Sequence, residues 1–530
     1  MKTAFHKIKV AFLAVLLSLG MNSCQDWLTI FPEGELILED YWKEGAHVEQ
    51  VVASCYRSLI EPACIERMLV WGEVRSDNMV AGPNVGGDLR DVLDVNILTT
   101  NGYANWSSFY TVINFCNTVL LYAPGVVDID NTYSINQLNA HRAEALAIRA
   151  LCYFYLVRAF RDVPYITHPS VDGAEDFAMA KTEGHLILDS LILDLKEAKT
   201  YAQNNYGVSN VKHNKGRFTR QSIRALMADI YLWQGRYQEC VDICREFHRE
   251  NALLPLASQL RLIDADFMYT EVFNRGNSSE SILELQFADD GITNSALNKL
   301  YGGGSSGASN SDLSAPSKSL DYSYGSMSAP FKITDVRWLS FVRGYGSGGY
   351  LFINKYVGTQ PEQYDNNILS YSIRGTTSNF ILYRLSDIYL MEAEALNELG
   401  EAHLKQALSL VNKTYMRANP SLTDSLSIVD YGSVEAMREL VLLERQREFM
   451  FEGKRWFDLV RMVNKGEPIF KLTTIVRRKF NMEAGAEILA VSKMSKMDAL
   501  YFPILQDEIL SNELLEQNPF YQLEETSAKN

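Results

Sequence analysis

Several features are scarce in this chain of 530 residues, and each absence excludes something. Basic residues are in deficit: 50 Lys and Arg face 65 Asp and Glu, a formal charge of −15. A nucleic-acid-binding protein ordinarily carries a basic surplus, so no nucleic-acid partner is expected. Cysteine is sparse, with seven in the whole chain, too few for a disulfide scaffold. Proline numbers 14 and glycine 32 without a strict period, which excludes collagen. Beyond the N-terminal segment there is no run of ~18 apolar residues, so no helix of the mature chain is expected to span a membrane. Catalytic signatures are missing as well: there is no His-Glu-x-x-His, no Gly-x-Ser-x-Gly and no P-loop. What is present is 47% hydrophobic and 22% charged, the balance of a globular protein with ample material for a core.

The N-terminus carries an address. Lys2, Lys7 and Lys9 precede an apolar run from Val10 to Leu19, followed by Gly20, Met21, Asn22, Ser23 and Cys24. A basic segment, a short apolar core and a small residue before the cut describe a secretory signal peptide over residues 1–23. Such a core is too short to cross a bilayer. Cys24 behind Ser23 resembles a bacterial lipobox, which makes Cys24 the expected lipidation site. Cleavage to a free secreted protein is the alternative. Stable anchoring takes two or more acyl chains.

Groups that could carry chemistry have structural explanations. Cys240, Cys244 and His248 recur at four-residue steps on an expected helix, where one ion reaches two of them well and the third poorly. Core packing is the better reading, and no metal or other cofactor is expected. Glu444, Glu448 and Glu452 alternate with Arg445, Arg447, Lys454, Arg455 and Arg461, the pattern of a structural ion-pair network. Glu73 and Asp77 form another acid pair at helical spacing. A secreted helical glycoside hydrolase would need such a pair across a cleft.

Helical periodicity dominates, over 45–60, 106–122, 136–160, 183–203, 219–249, 382–418, 433–463 and 507–516. Two stretches resemble each other. ALMADIYLWQGRYQEC (225–240) and LMEAEALNELGEA (390–402) each run seven steps from a small residue to a Gly, Ala228 to Gly235 and Ala393 to Gly400. The small residue lets two helices approach and the Gly allows a tight turn, the logic of tetratricopeptide repeats. A third, degenerate copy is expected in 143–160. Between the scaffolds, 285–380 is rich in Gly and Ser, with GYGSGGY at 344–350 and aromatic residues throughout. Aromatic rings in polar loops point to binding. The expected platform is Trp338, Tyr345, Tyr350 and Tyr324, with Asp77 and Asn78 nearby to bond hydroxyl groups.

AEALAIRALCYFYLVRAFRDVPY (143–165), LLERQREFMFEGKRWFDLVR (442–461) and YFPILQDEILSNELLEQNPFY (501–521) resemble three signature stretches of the SusD/RagB outer-membrane lipoproteins of Bacteroidetes. CQDWLTIFPEG after the lipobox, WSSFYTVINFCN (106–117) and RLSDIYLMEAEALNELG (384–400) extend the likeness to nearly all of the mature chain. Arg161 departs from it, standing where a Gly is usual before Asp-Val-Pro, and Phe520 stands where Gly often follows Asn-Pro. The resemblance implies a mostly α fold, tetratricopeptide-like helical pairs in an α-α superhelix bearing an irregular, loop-rich ligand-binding face. The N-terminal helical region would span 24–250 and the C-terminal region 251–530, including the variable insert 285–380. It further implies a non-enzymatic, surface-exposed, lipid-anchored protein that captures an oligosaccharide for a SusC-like TonB-dependent outer-membrane barrel. Peptide capture, as in RagB-like branches, stays open.

Overall fold

The protein's structure, a computed structural model, describes residues 41–170, 178–288, 291–302, 310–325, 334–343, 350–358, 362–364, 368–370, 377–480 and 484–522. The expected signal peptide (1–23), Cys24 and Tyr345 lie outside the described residues.

Among the described residues, nine long helices stack in chain order: α1 (Gly45–Leu59), α2 (Ser107–Val126), α3 (Ile135–Phe160), α4 (Gly184–Tyr201), α5 (Arg220–Gln234), α6 (Tyr237–Leu253), α7 (Leu385–Glu398), α8 (Leu404–Ala418) and α9 (Val434–Phe449). Each packs on the next from α1 to α9, with α7 also touching α5 and α9. The mostly helical superhelix expected from the sequence is therefore present. Local chemistry sets its punctuation. Ser134 with Gln137 and Thr219 with Ser222 close capping boxes at the starts of α3 and α5, satisfying N–H groups that a helix start leaves open. Gly235 ends α5 at φ +75°, a left-handed position that costs a Cβ-bearing residue dearly and glycine little. The corresponding Gly400 leads into a short 3₁₀ turn before α8.

The stretch expected to hold a degenerate repeat lies in α3, whose residues 143–160 are all buried, as befits a helix packed on every side. Its end explains the Arg161 departure. Arg161 adopts φ +72°, the conformation for which glycine is suited, and its guanidinium is held by Asp498 at 2.6 Å and Asp162 at 3.2 Å. The stretch Gly102–Val126 is apolar and long enough to cross a membrane. Here Phe109, Val112, Ile113, Cys116 and Val119 are buried, against α1 and α3.

Strands are few and short. Ser281–Leu285 pairs antiparallel with Phe380–Arg384, both wholly buried. Val80–Ala81 pairs with Leu313–Ser314 and Val342–Arg343 with Phe352–Ile353. A single bridge from Ala315 to Leu351 links these two ladders. The resulting ribbon ties Val80–Ala81 to residues 313–315, 342–343 and 351–353 within the Gly-rich insert.

Candidate functional site

The signature FMFEGKR turn (449–455) is explained by what it wraps. Glu73, fully enclosed, accepts N–H bonds from Phe451 at 2.9 Å, Lys454 at 2.9 Å and Arg455 at 3.2 Å, and from Asn78 Nδ2 at 2.7 Å. Phe451 and Gly453 both take positive φ to present those N–H groups. A Cβ on Gly72 would lie 1.8 Å from the Gly453 carbonyl oxygen, so the approach requires glycine.

Asp77 and Asn78 are placed otherwise than expected. Both are fully buried. Gln446 Nε2 donates to Asp77 at 2.9 Å and to Asn78 at 2.8 Å, and Arg455 Nε donates to Asp77 at 2.9 Å. With these bonds filled and no exposed surface, they support the loop face from beneath rather than meet a ligand. The correction extends to Tyr324, which is buried and whose hydroxyl donates to the Arg447 carbonyl at 2.6 Å. Sequence spacing showed polar residues near a loop; it could not show that Gln446 and Arg455, some 370 positions away, would cover them.

Trp338 is half-buried in a short helix, Arg337–Phe341. Its neighbour Arg337 is fully enclosed and bonds Asp335 at 2.6 Å, Glu444 at 2.9 Å and Glu448 at 2.6 Å. The helix is thus clamped to α9 with the indole beside the clamp. Tyr350 is half-buried and stacks on Phe352, ring centroids 6.3 Å apart. The ribbon of short strands brings this pair toward the Val80–Ala81 end.

Behind the face lies the ion cluster. Glu448 meets Arg337, Arg384 and Arg417; Glu452 meets Lys355 and Arg384; Glu280 meets Arg384 and Arg417. Burial opposes ionisation of Glu452, yet Arg384, Lys355 and Lys454 hold its carboxyl down at about 2. The neighbours in sequence are mostly not the partners: Arg445 and Arg461 pair with Asp458, and Arg455 with Asp77. Glu444, Glu448 and Glu452 have no exposed surface, so they form scaffold and not an acid pair open to a substrate. Cys240 and Cys244 are buried in the core, and His248 turns away to Glu392 at 3.0 Å.

A polar cluster at the far end of the ribbon was not visible in the sequence. Lys299 Nζ donates to Glu66 Oε2 at 2.8 Å, Tyr103 hydroxyl to the same oxygen at 3.3 Å, and Asn84 Nδ2 to Asp312 at 3.3 Å. Burial raises the Asp312 carboxyl, and burial with Glu66 beside it pushes Tyr103 up to about 12. Lys299 and Asn84 remain exposed. These five residues come from five separate stretches of the chain, and no motif joins them.

Comparison with known proteins gives concordant results. Residues 341–521 match the SusD family, and residues 47–232 match a family described as starch-binding associating with outer membrane. SusD-like protein P38 of Formosa agariphila is 24% identical over 98% of this chain and 99% of its own length. A SusD superfamily structure from Bacteroides thetaiotaomicron superposes with a TM-score of 0.70 at 22% identity, covering 91% of this chain and 99% of the other. A laminarin-binding SusD-like protein gives 0.66 at 23% identity, covering 90% and 99%.

Proposed function

Because the chain belongs to the SusD family, we propose that it is a glycan-binding lipoprotein of the outer membrane. It captures an oligosaccharide on the ribbon-borne face and delivers it to a SusC-like TonB-dependent barrel, without acting as an enzyme. The observation that carries the reading is the half-buried indole of Trp338 beside a fully buried, multiply bonded Arg337. Sugars present C–H faces that pack on flat rings, and a ring that is already fixed loses little freedom on binding. Tyr345 and Tyr350 supply further rings in this reading. Asn84 and Lys299, exposed at the other end of the ribbon, supply donors for hydroxyl groups.

The family match and the laminarin-binding neighbour support glycan as the ligand class. Cys24 anchors the protein in this reading, and a shared membrane raises the effective concentration of lid and barrel, so modest affinity between them suffices. A glycan-and-peptide array probed with the protein beginning after Cys24 tests the ligand class directly. Glycan hits that vanish with Trp338→Ala are expected; removing such an anchor costs about 2 kcal/mol, roughly thirtyfold in affinity. Hits confined to peptides would replace oligosaccharide by peptide. Retained affinity in a Trp338→Ala, Tyr345→Ala double variant would move the platform elsewhere. Detergent pull-down of the native protein that recovers no barrel would remove the delivery step.

A further inference from the structure

The geometry points to a second sugar site, distinct from the Trp338 face, that takes an anionic saccharide unit carrying a carboxylate or a sulfate ester. It rests on the reading of the protein as glycan-binding. The site is a cleft of about 230 Å³ between the Ser317–Tyr324 helix, α9 and the Ile469–Val476 helix. Tyr322, Leu442, Gln446, Arg455, Phe470 and Arg478 all line it.

Two large rings stand exposed here: Tyr322 at 52% and Phe470 at 63% of their surface. Neither is needed for the core, and both flank one cleft. Arg478 lies over the Tyr322 ring, its guanidinium carbon 3.5 Å from the centroid. Stacking of this kind holds the planar fork in place before a ligand arrives.

Charge balance gives the sign of the ligand. Among the described residues, the carboxylate paired with Arg478 is Asp77, 4.0 Å away. Asp77 is already engaged by Arg455 at 2.9 and 3.3 Å. One carboxylate therefore serves two guanidinium groups, leaving a positive charge at this end of the cleft in a chain of net charge −15. At the other end Arg438 and Lys471 are matched by Glu435 and Glu467. Glu439 stands on the exposed rim, where solvent and salt screen it. At the floor, Gln446 is 1% exposed and its Nε2 bonds Asp77, Asn78 and Ser319. Its Oε1, buried with the rest of the side chain, has no donor among the described residues. A fixed guanidinium fork beside two exposed rings matches an acidic sugar better than a neutral one. The volume lies below the ~300–1,000 Å³ of clefts that enclose drug-sized molecules, which suits one or two sugar rings.

The test is calorimetric titration of the protein beginning after Cys24 with methyl glucuronide, glucose 6-sulfate and methyl glucoside. At least one anionic sugar is expected to bind about tenfold or more tightly than methyl glucoside, and the two anionic arms separate carboxylate from sulfate. Arg478→Ala is expected to weaken that binding about tenfold or more. Thr474→Trp, at an exposed position of the lining, fills the cleft and gives the same loss while leaving the ion pairs intact. Trp338→Ala leaves it unchanged. The inference is overturned if neither anionic sugar is preferred, or if the preference survives both cleft variants. Neutral-glycan binding lost in Trp338→Ala but kept in Arg478→Ala reports on the main face alone and leaves the cleft to be judged by its own variants.

Discussion

Glu448→Gln is the sharpest probe of the cluster behind the proposed binding face. Glu448 is fully enclosed and accepts from Arg337 at 2.6 Å, from Ser386 Oγ at 2.9 Å, and from Arg384 and Arg417. Burial opposes its ionisation, but Arg417, Arg384 and Arg337 together hold its carboxyl well below the usual carboxylate range. Glutamine keeps the shape, removes the charge and turns an NH₂ donor toward guanidinium donors. Breaking one member of a buried ion pair costs about 3–5 kcal/mol, because the partner charges stay buried without compensation. Unfolding entropy of ~2 cal/mol/K per residue gives a chain of this length roughly 1 kcal/mol/K, so Tm falls by about 3–5 °C if the protein melts as one unit. Differential scanning calorimetry at pH 7 measures it. The control is Arg57→Gln in the pair Arg57–Glu61, whose side chains are 56% and 50% exposed; a shift under about 1 °C is expected for such a surface pair. A second readout follows from Arg337, which loses one of its anchors beside Trp338, so glycan affinity falls in step with stability. Indistinguishable melting of Glu448→Gln and Arg57→Gln would refute the claim that this cluster is desolvated and structural.

Three further outcomes are expected. Lys479 is pushed by burial down to about 7 from 10.5. The folded state therefore holds fewer protons than the unfolded chain between those values, and stability rises with pH across that window; Lys479→Met should flatten the rise in urea midpoint between pH 7 and 9.5, and an unchanged slope would contradict it. Gly72→Ala would set its methyl 1.8 Å from the Gly453 carbonyl oxygen, so loss of soluble folded protein on expression is expected, and a parental melting curve would show that the FMFEGKR turn yields. Cys24→Ala should move the protein from the membrane fraction to soluble or unprocessed forms, and normal processing with full membrane retention would exclude lipid on Cys24.

The helices, their stacking logic and the turns at Gly235 and Gly400 were legible in the sequence, because helical period, caps and glycine punctuation are local properties of the chain. The family signatures were legible for the same reason, as contiguous strings that each wrap one turn or fill one helix. Even the Arg161 departure announced its own strained position, since φ is fixed by a single residue and its neighbours. Charge pairing was not legible. Asp77 and Asn78 read as rim residues, and folding buried them under Gln446 and Arg455; Glu444 and Glu448 found Arg337, more than a hundred positions away, with Arg447 only a longer 3.8 Å partner of Glu444. Arg75 shows the same limit: fully enclosed, it lies 4.4 Å from the Trp456 and Phe502 ring centroids, partners that nothing in its local sequence names. Local sequence fixes a residue's backbone. The neighbours that neutralise or cover its charge come from wherever the chain returns, and which polar groups then meet solvent or ligand is settled only when the nine helices have packed.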